Sequence, residues 1–145
     1  MGSLADKAAI EELLAKLTRA HADHDIDSIM EVYAPEARIF DLAPPLGRHG
    51  MNRSRLVAWL ATWDGPIRID AKDIELRIDG HLAHFSALNR ISGFQSSEAQ
   101  DIWFRSTMAL QKLNESWKII CHHSSVPFYM DGSYSAAVDL TPSLF

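Results

Sequence analysis

The segment from Ile102 to Phe128 constrains the fold more than any other part of this chain. It has the pattern of two long strands joined by a tight turn at Asn114-Glu115-Ser116. Alternate residues of a strand point to the same face. One such face carries both large apolar and polar side chains: Trp103, Arg105, Thr107, Trp117, Ile119, Cys121, His123 and Ser125. A face that only covers a core does not need Arg, Thr, His and Ser, so the pattern predicts a strand pair that lines a half-polar cavity.

Length and charge limit the classes of protein that fit. A chain of 145 residues suits one domain with a substantial core, and we expect a single domain over 1–145 with 129–145 as a C-terminal extension. A net charge of -5 without a basic patch argues against a nucleic-acid partner. No apolar run approaches the roughly 20 residues of a membrane span. Because residues 1–14 lack a secretory apolar segment and Cys121 is the single cysteine, we expect a cytoplasmic protein.

Helical periodicity occurs at three places in the first half of the chain. Apolar residues recur at the i, i+3, i+4 and i+7 positions of one helix face, which predicts helices over 6–23, 25–33 and 52–63. A short strand over 36–41 lies between the second and third helices. Pro35 ends the second helix, since the residue before a proline resists helical torsion angles.

The period changes to two from Ile67 onwards, which indicates strands. The apolar phase switches near Lys72, so we expect a bulge in a long strand, and Asp79-Gly80 is typical of a tight hairpin turn. A strand over 81–91 and a loop over 92–100 then lead to the terminal strand pair. Three N-terminal helices packed on a strongly curved, mostly antiparallel sheet make an α+β cone with an open interior.

Three segments resemble the NTF2-like superfamily, and within it the SnoaL-like and ketosteroid-isomerase-like domains. They are DIDSIMEVYAPEARIFD, WFRSTMALQKLNESWKIICHHSSVPF and PFYMDGSYSAAVDLTP. The resemblance covers nearly the whole chain and implies an NTF2-like cone with a small-molecule cavity. The superfamily includes isomerases, cyclases, dehydratases, hydrolases and non-catalytic binding or assembly modules, so the fold alone does not decide the function.

The resemblance also suggests roles for single residues. The proton-shuttling Asp of ketosteroid isomerases follows the first strand, and this position falls on Asp41. Their oxyanion-binding Tyr and protonated acid fall close to Leu17 and Ala109, so ketosteroid isomerisation is not expected here. The closing strand of SnoaL-like domains usually carries two His residues two positions apart, and Cys121 and His123 occupy these positions.

Asp41, Arg105 and His123 form the constellation that we predict to be catalytic. Burial in an apolar pocket raises the pKa of a carboxyl group and makes it a base near neutral pH, although a strand-end Asp also caps backbone N–H groups in Pro-rich loops. His123 is either a proton donor and acceptor or a cavity histidine bonded to Thr107 or Ser125. Arg105 either binds a carboxylate or enolate oxygen or pairs with an internal acid.

Further residues are expected to line the pocket, and most of them are aromatic or apolar. They are Leu17, His21, Tyr33, Phe40, Trp59, Trp63, Trp103, Thr107, Cys121, Ser125 and Phe128. The aromatic supply favours a small apolar or aromatic ligand. His21 and His24 lie three positions apart, but no third ligand is implied, so we expect neither a metal nor a cofactor.

The sequence therefore predicts cofactor-independent acid/base chemistry of the isomerase, cyclase or dehydratase type on an apolar carbonyl compound. The alternative is a non-catalytic ligand-binding or dimeric assembly module. We expect a homodimer through the outer face of the sheet, where Met108 and Ile120 are predicted to be exposed.

Overall fold

The computed structural model describes residues 3–143 and contains three helices and six strands. In chain order they are α1 (Leu4–Ala22), α2 (Ile26–Glu31), β1 (Tyr33–Phe40), β2 (Arg48–His49), α3 (Arg53–Ala61), β3 (Arg68–Asp79), β4 (Leu82–Gln95), β5 (Glu98–Leu113) and β6 (Ser116–Ser125). Residues 1–2 and the last two residues of the predicted C-terminal extension, 144–145, lie outside the described residues.

Each helix begins at a polar capping residue. Ser3 and Asp6 form a reciprocal capping box at α1, Asp25 accepts from a backbone N–H of α2, and Asn52 does the same for α3. Such caps satisfy N–H groups that have no partner within the helix. The three predicted helices are confirmed, with ends shifted by one or two residues, and Tyr33 opens β1 instead of closing α2.

The six strands form one open sheet in the order β2-β1-β6-β5-β4-β3. The pairing of β1 with β6 is parallel, and the other neighbours are antiparallel. Helix α1 contacts both β3 and β6, so it crosses one face of the sheet. The predicted α+β cone, with three helices on a mostly antiparallel sheet, is confirmed. No helix within 3–143 is long and apolar enough to cross a membrane.

The hairpin between β4 and β5 is longer than the sequence predicted. The bulge near Lys72 is present, because the register of β3 shifts between Lys72 and Glu75. The predicted loop over 92–100 is wrong, since β4 continues to Gln95 and β5 starts at Glu98. Ser96 and Ser97 take positive φ values of 49° and 67°, and such a pair of residues closes a two-residue hairpin.

The inner face of β5 carries the even-numbered residues, which is the reverse of the prediction. Ser106 and Met108 are 1% and 4% exposed, whereas Arg105 and Thr107 are exposed and Trp103 is half-buried. The prediction that Trp103, Arg105 and Thr107 point inward is therefore wrong. The prediction of an exposed Met108 is wrong for the same reason.

A β-bulge at Ile120 reverses the alternation of β6. Ala109 pairs with Cys121, but Leu110 pairs with Ile119, so Ile120 is an extra residue opposite this pair. A bulge of one residue moves all later side chains to the other face. Ile120 itself is half-buried against a small cluster on β1 and is not an exposed outer residue.

The reversal decides which side chains of β6 enter the cone. Trp117 and Ile119, before the bulge, are 5% and 0% exposed and belong to the core. After the bulge, His122 and Ser124 face the interior, and Cys121, His123 and Ser125 do not.

Residues 126–143 form an irregular segment with its own contacts. Phe128 and Ala136 form an isolated β-bridge, the Tyr129 hydroxyl donates to Asp139 at 2.5 Å, and Ala137 is 2% exposed. The division of the chain into a domain and a C-terminal extension stays a prediction.

Candidate functional site

A cavity of about 880 Å³ lies between the helices and the inner face of the sheet. This volume suits a small molecule. Most of the wall is apolar and comes from α1, α3, β3, β4 and β5, with Leu14, Leu56, Trp59, Ile69, Ile91 and Phe104 as examples. The few polar groups in this wall therefore determine what chemistry the cavity supports.

Six of the predicted site residues line this cavity. They are Asp41, Leu17, His21, Tyr33, Phe40 and Trp59. Five of them lie on α1, β1 or α3, and Asp41 directly follows β1. The structure thus brings together the residues that helical periodicity and the end of a short strand had indicated, while their role in binding or catalysis stays a prediction.

Eight predicted site residues lie outside the cavity lining within 3–143, so the predicted placement is wrong for them. They are Arg105, His123, Trp63, Trp103, Thr107, Cys121, Ser125 and Phe128. The phase of β5 and the bulge in β6 explain the six that lie on these strands. Trp63 follows α3 and is packed in the core at 6% exposure. Phe128 belongs to the C-terminal segment and packs on Tyr134, with ring centroids 5.4 Å apart.

The polar residues that were wrongly predicted to line the cavity make contacts on the outer face of the sheet. Arg105 Nε donates to Ser125 Oγ at 3.2 Å. The His123 ring is exposed and lies 5.3 Å from the ring of Phe40. Asp41, Arg105 and His123 therefore do not converge on one cavity, and the predicted catalytic constellation is corrected accordingly.

His122 lines the cavity, although it was not among the predicted site residues. Its Nδ1 lies 2.8 Å from the Tyr33 hydroxyl, and its Nε2 lies 3.0 Å from Ser106 Oγ and 3.5 Å from Ser124 Oγ. Burial lowers the pKa of His122 to about 4, while the charge of Asp41 acts weakly in the opposite direction. The local sequence gives no signal for this residue, because its face depends on the pairing of β6 with β5.

Tyr33 and His122 form a neutral hydrogen-bonded pair at neutral pH. Burial raises the pKa of Tyr33 above its ordinary value, and the nearby charge of Asp41 raises it further. A neutral imidazole has one donor and one acceptor nitrogen, and both nitrogens of His122 are engaged. The hydrogen bonds therefore connect Tyr33, His122 and Ser106, and the tautomer of His122 decides which group donates in each of them.

His21 has one ring nitrogen that stays available to a ligand. Its Nδ1 lies 2.9 Å from the backbone carbonyl oxygen of Leu17. A carbonyl oxygen only accepts, so Nδ1 carries the hydrogen and Nε2 has a free lone pair. No hydrogen bond from residues 3–143 reaches Nε2. Burial lowers the pKa of His21, and the imidazole is neutral at pH 7.

The charged pair Asp41 and Arg48 lies at the mouth of the cavity. Arg48 Nη2 donates to Asp41 Oδ2 at 3.1 Å, and the Asp41 side chain is 45% exposed. Asp41 Oδ1 also accepts from the N–H of Leu42 at 2.9 Å, as expected for a strand-end Asp. Its negative charge acts to raise the pKa of both His21 and His122, so these groups lie within electrostatic reach of one another. Among 3–143, no group of three or more His, Cys, Asp or Glu side chains is arranged to hold a metal ion.

Comparison with known proteins gives the family of this chain. Residues 10–129 match the profile of the SnoaL-like domain family. The chain belongs to this family. No curated protein matches the chain in sequence.

Solved structures show how widely this SnoaL-like fold is shared. An NTF2-like protein of unknown function from Pseudomonas putida is 26% identical, with a TM-score of 0.85 over 97% of this chain and 99% of that chain. A proposed scytalone dehydratase from Novosphingobium aromaticivorans is 14% identical, with a TM-score of 0.75 over 97% of both chains. A proposed ketosteroid isomerase from Shewanella frigidimarina is 18% identical, with a TM-score of 0.67 over 81% of this chain and 94% of that chain. At such identities, the last two comparisons speak for the fold alone.

Proposed function

We propose that this cavity performs cofactor-independent acid/base chemistry, of the isomerase, cyclase or dehydratase type, on a small apolar carbonyl compound. The observation that carries the proposal is His21, whose hydrogen bond to Leu17 leaves Nε2 unprotonated in an apolar cavity. A neutral imidazole with a fixed tautomer is a competent general base near neutral pH. His21 thus takes the proton from the carbon next to the carbonyl group.

Tyr33 stabilises the negative charge that then develops on the substrate oxygen. Because burial raises its pKa, the hydroxyl keeps its proton at neutral pH and acts as a hydrogen-bond donor. In the proposed tautomer, His122 Nδ1 donates to the Tyr33 oxygen, which holds the hydroxyl in place and leaves its hydrogen free for the substrate oxygen. A donor that is already oriented toward a developing oxyanion lowers the barrier without reorganisation.

Asp41 acts through its charge in this proposal. When His21 becomes an imidazolium, the negative charge of Asp41 stabilises it, which agrees with the direction in which Asp41 acts on the pKa of His21. Arg48 holds the carboxylate in place at the mouth. The general-base role that the sequence analysis gave to Asp41 therefore passes to His21.

The names of the structural neighbours agree with this reaction class. They include a proposed dehydratase from Streptomyces avermitilis, in addition to the proposed scytalone dehydratase and ketosteroid isomerase. These names are those of dehydratases and an isomerase, and their support is that of a shared fold.

Ring opening of nitrobenzisoxazole tests the proposal without knowledge of the natural substrate. This flat, apolar carbon acid opens to a coloured cyanophenolate when a base removes the C3 proton of its isoxazole ring and the N–O bond breaks. We expect the wild-type protein to accelerate the ring opening and His21→Asn to lose about a hundredfold in kcat/KM. The rate should rise with pH and level off after an inflection below the ordinary histidine pKa of 6.5, because burial lowers the pKa of His21.

His123→Asn is the matched control, since His123 is exposed on the outer face. It should keep the wild-type rate and pH profile. If His21→Asn keeps the rate, the base has been assigned to the wrong residue. If the wild-type protein does not accelerate the reaction at all, the acid/base proposal fails and the non-catalytic ligand-binding or assembly module is preferred.

We also propose that the chain forms a homodimer through the outer face of the sheet. The helices leave this face uncovered, and the outer positions of β4 and β5 carry several apolar side chains that are exposed or half-buried: Leu82, Leu88, Phe94, Trp103 and Leu113. An exposed apolar sheet face favours association with a second copy. The cytoplasmic location and the absence of nucleic-acid and membrane partners stay predictions from the sequence.

A further inference from the structure

The side chain of Asn89 lies in an apolar part of the cavity wall without a protein partner. Asn89 is 9% exposed and lines the cavity. Strand register places it between Ala71 of β3 and Phe104 of β5. No hydrogen bond from residues 3–143 reaches its amide, and the amide is not among the fully buried polar groups without a partner, so it is open to the cavity.

Asn89 is remote from the part of β6 that carries His122, the partner of the Tyr33 hydroxyl. Ser124 on β6 pairs with Ser106 on β5, which pairs with Ala87 on β4. Asn89 is on β4, which is two strand spacings from Ser124 on β6 across the sheet. It also lies two residues further along β4 than Ala87. At a spacing of nearly 5 Å between strands, the separation is about 10 Å or more.

We propose that Asn89 binds a second polar group of the ligand, away from the Tyr33 hydroxyl that binds the reacting carbonyl oxygen. The inference rests on the proposed function and specifies its substrate class. The substrate is an elongated apolar molecule that carries a hydroxyl, carbonyl or carboxamide group about 10 Å from the reacting carbonyl. An amide donates and accepts, so it can bind each of these groups.

The surroundings of Asn89 favour a neutral group over a charged one. Its cross-strand neighbours Ala71 and Phe104 and the next inward residue of β4, Ile91, are apolar and line the same cavity. An ion bound there would lose its hydration without gaining a counter-charge. A neutral hydroxyl or carbonyl needs only the hydrogen bond that Asn89 offers.

Two rigid probes test the inference: acetonaphthone, and its analogue with a hydroxyl on the ring remote from the acetyl group. Dissociation constants come from isothermal titration calorimetry. We expect the wild-type protein to bind the hydroxylated probe about tenfold more tightly. In Asn89→Leu this preference should disappear, because the hydroxyl loses its partner and enters an apolar wall. Asn89→Ala should give the same loss of preference and serves as the second variant if Leu does not fit.

The unfolding temperature separates a binding role from a structural one. The Asn89 amide faces the open cavity and is not sealed from water, so Asn89→Leu should keep Tm within about 2 °C of the wild-type value in the absence of ligand. A residue that is needed for folding would lower it. His84→Leu, on the outer face of the same strand, is the control and should leave the probe preference unchanged.

The outcomes also separate this inference from the proposed function. The role of Asn89 is overturned if the wild-type protein binds both probes equally or binds neither. A clearly lowered Tm in Asn89→Leu overturns it as well. A preference that is lost in Asn89→Leu but accompanied by no nitrobenzisoxazole turnover supports the recognition role and removes the acid/base proposal. Turnover that depends on His21, with no hydroxyl preference, does the reverse.

Discussion

His21 and His122 are both kept neutral by burial, yet their ring nitrogens are used differently. His122 engages both nitrogens, with Tyr33 on one side and Ser106 on the other. His21 engages only Nδ1. In the proposed reaction, a proton from the ligand therefore goes to His21 without breaking an existing bond, whereas His122 positions the hydroxyl of Tyr33. The hydrogen bonds of the two imidazoles thus favour separate roles for them.

The lowered pKa of His122 predicts that the protein loses stability in mild acid. An unfolded histidine takes up a proton near pH 6.5, whereas folded His122 does so only near pH 4. Between these values the unfolded state binds more protons, so the free energy of unfolding falls as the pH decreases from 6.5 to 4. The His122 contribution is at most about 3 kcal/mol, and His21 acts in the same direction.

Urea unfolding between pH 7.5 and 4.5 measures this effect. His122→Gln, which does not titrate, should show a clearly smaller decrease across the range, although its stability at pH 7.5 is lower because of the altered contacts. His84→Gln, at an exposed position, should keep the wild-type decrease. Equal pH slopes in His122→Gln and the wild-type protein would contradict the assignment.

At the scale of elements, the helices were predictable from sequence and the faces of the last two strands were not. In a helix, the directions of neighbouring side chains differ by about 100°. An error of one residue in the apolar stripe of α1 therefore rotates a side chain around the helix but does not invert it. In a strand, an error of one residue inverts every side chain. The alternating polar residues Arg105 and Thr107 suggested a cavity wall, but they face outward.

The bulge at Ile120 explains why His123 was chosen and His122 was missed. From Trp117 and Ile119, which are core residues, strict alternation leads to Cys121 and His123. The extra residue in β6 interrupts that alternation, and a bulge is defined by pairing with another strand and not by the local sequence. The presence of a cavity could be predicted from the fold class. Which histidine of β6 enters the cavity could be seen only from the pairing register of β6 with β5.

The contact between α1 and the end of the terminal strand pair depends on Asp6. This carboxylate accepts from Lys112 Nζ and from Trp117 Nε1, both at 3.1 Å, and also takes part in the capping box with Ser3. The hydrogen bond from Lys112, followed by that from Trp117, lowers the pKa of Asp6 from 3.8 to about 2. One side chain therefore stabilises the start of the helix and ties it to β5 and β6.

We expect Asp6→Ala to lower the urea midpoint of unfolding at pH 7 and to increase hydrogen exchange in α1. A depressed carboxyl pKa stabilises the fold above pH 3.8, and this contribution disappears as the pH falls through about 2. The difference between Asp6→Ala and the wild-type protein should therefore shrink in strong acid. Glu12→Ala, which removes an exposed pair with Arg19, is the control and should change the midpoint little. A pH-independent difference would mean that packing, and not the charge of Asp6, is responsible.

At the scale of the whole molecule, the cavity and the uncovered sheet face have one cause. Three helices on one side of a six-stranded sheet enclose a volume with the inner face and leave the outer face open. Polar residues such as Arg105 and His123 lie on this outer face. A second copy of the chain that packs on this face can contact them. Two of the three residues that the sequence predicted to be catalytic, Arg105 and His123, are thus candidates for the interface.

A homodimer through this face predicts a solution mass of twice the 16.2 kDa of the chain. Thr107 is exposed near the middle of the outer face of β5, and in a two-fold interface a substitution there occurs in both copies. Thr107→Glu should therefore place like charges in the interface and shift the protein toward the monomer in sedimentation equilibrium. Ser54→Glu adds the same charge at an exposed position of α3 and should keep the dimer. A single-chain mass for the wild-type protein at all concentrations, or an unchanged dimer in Thr107→Glu, would exclude this face as the interface.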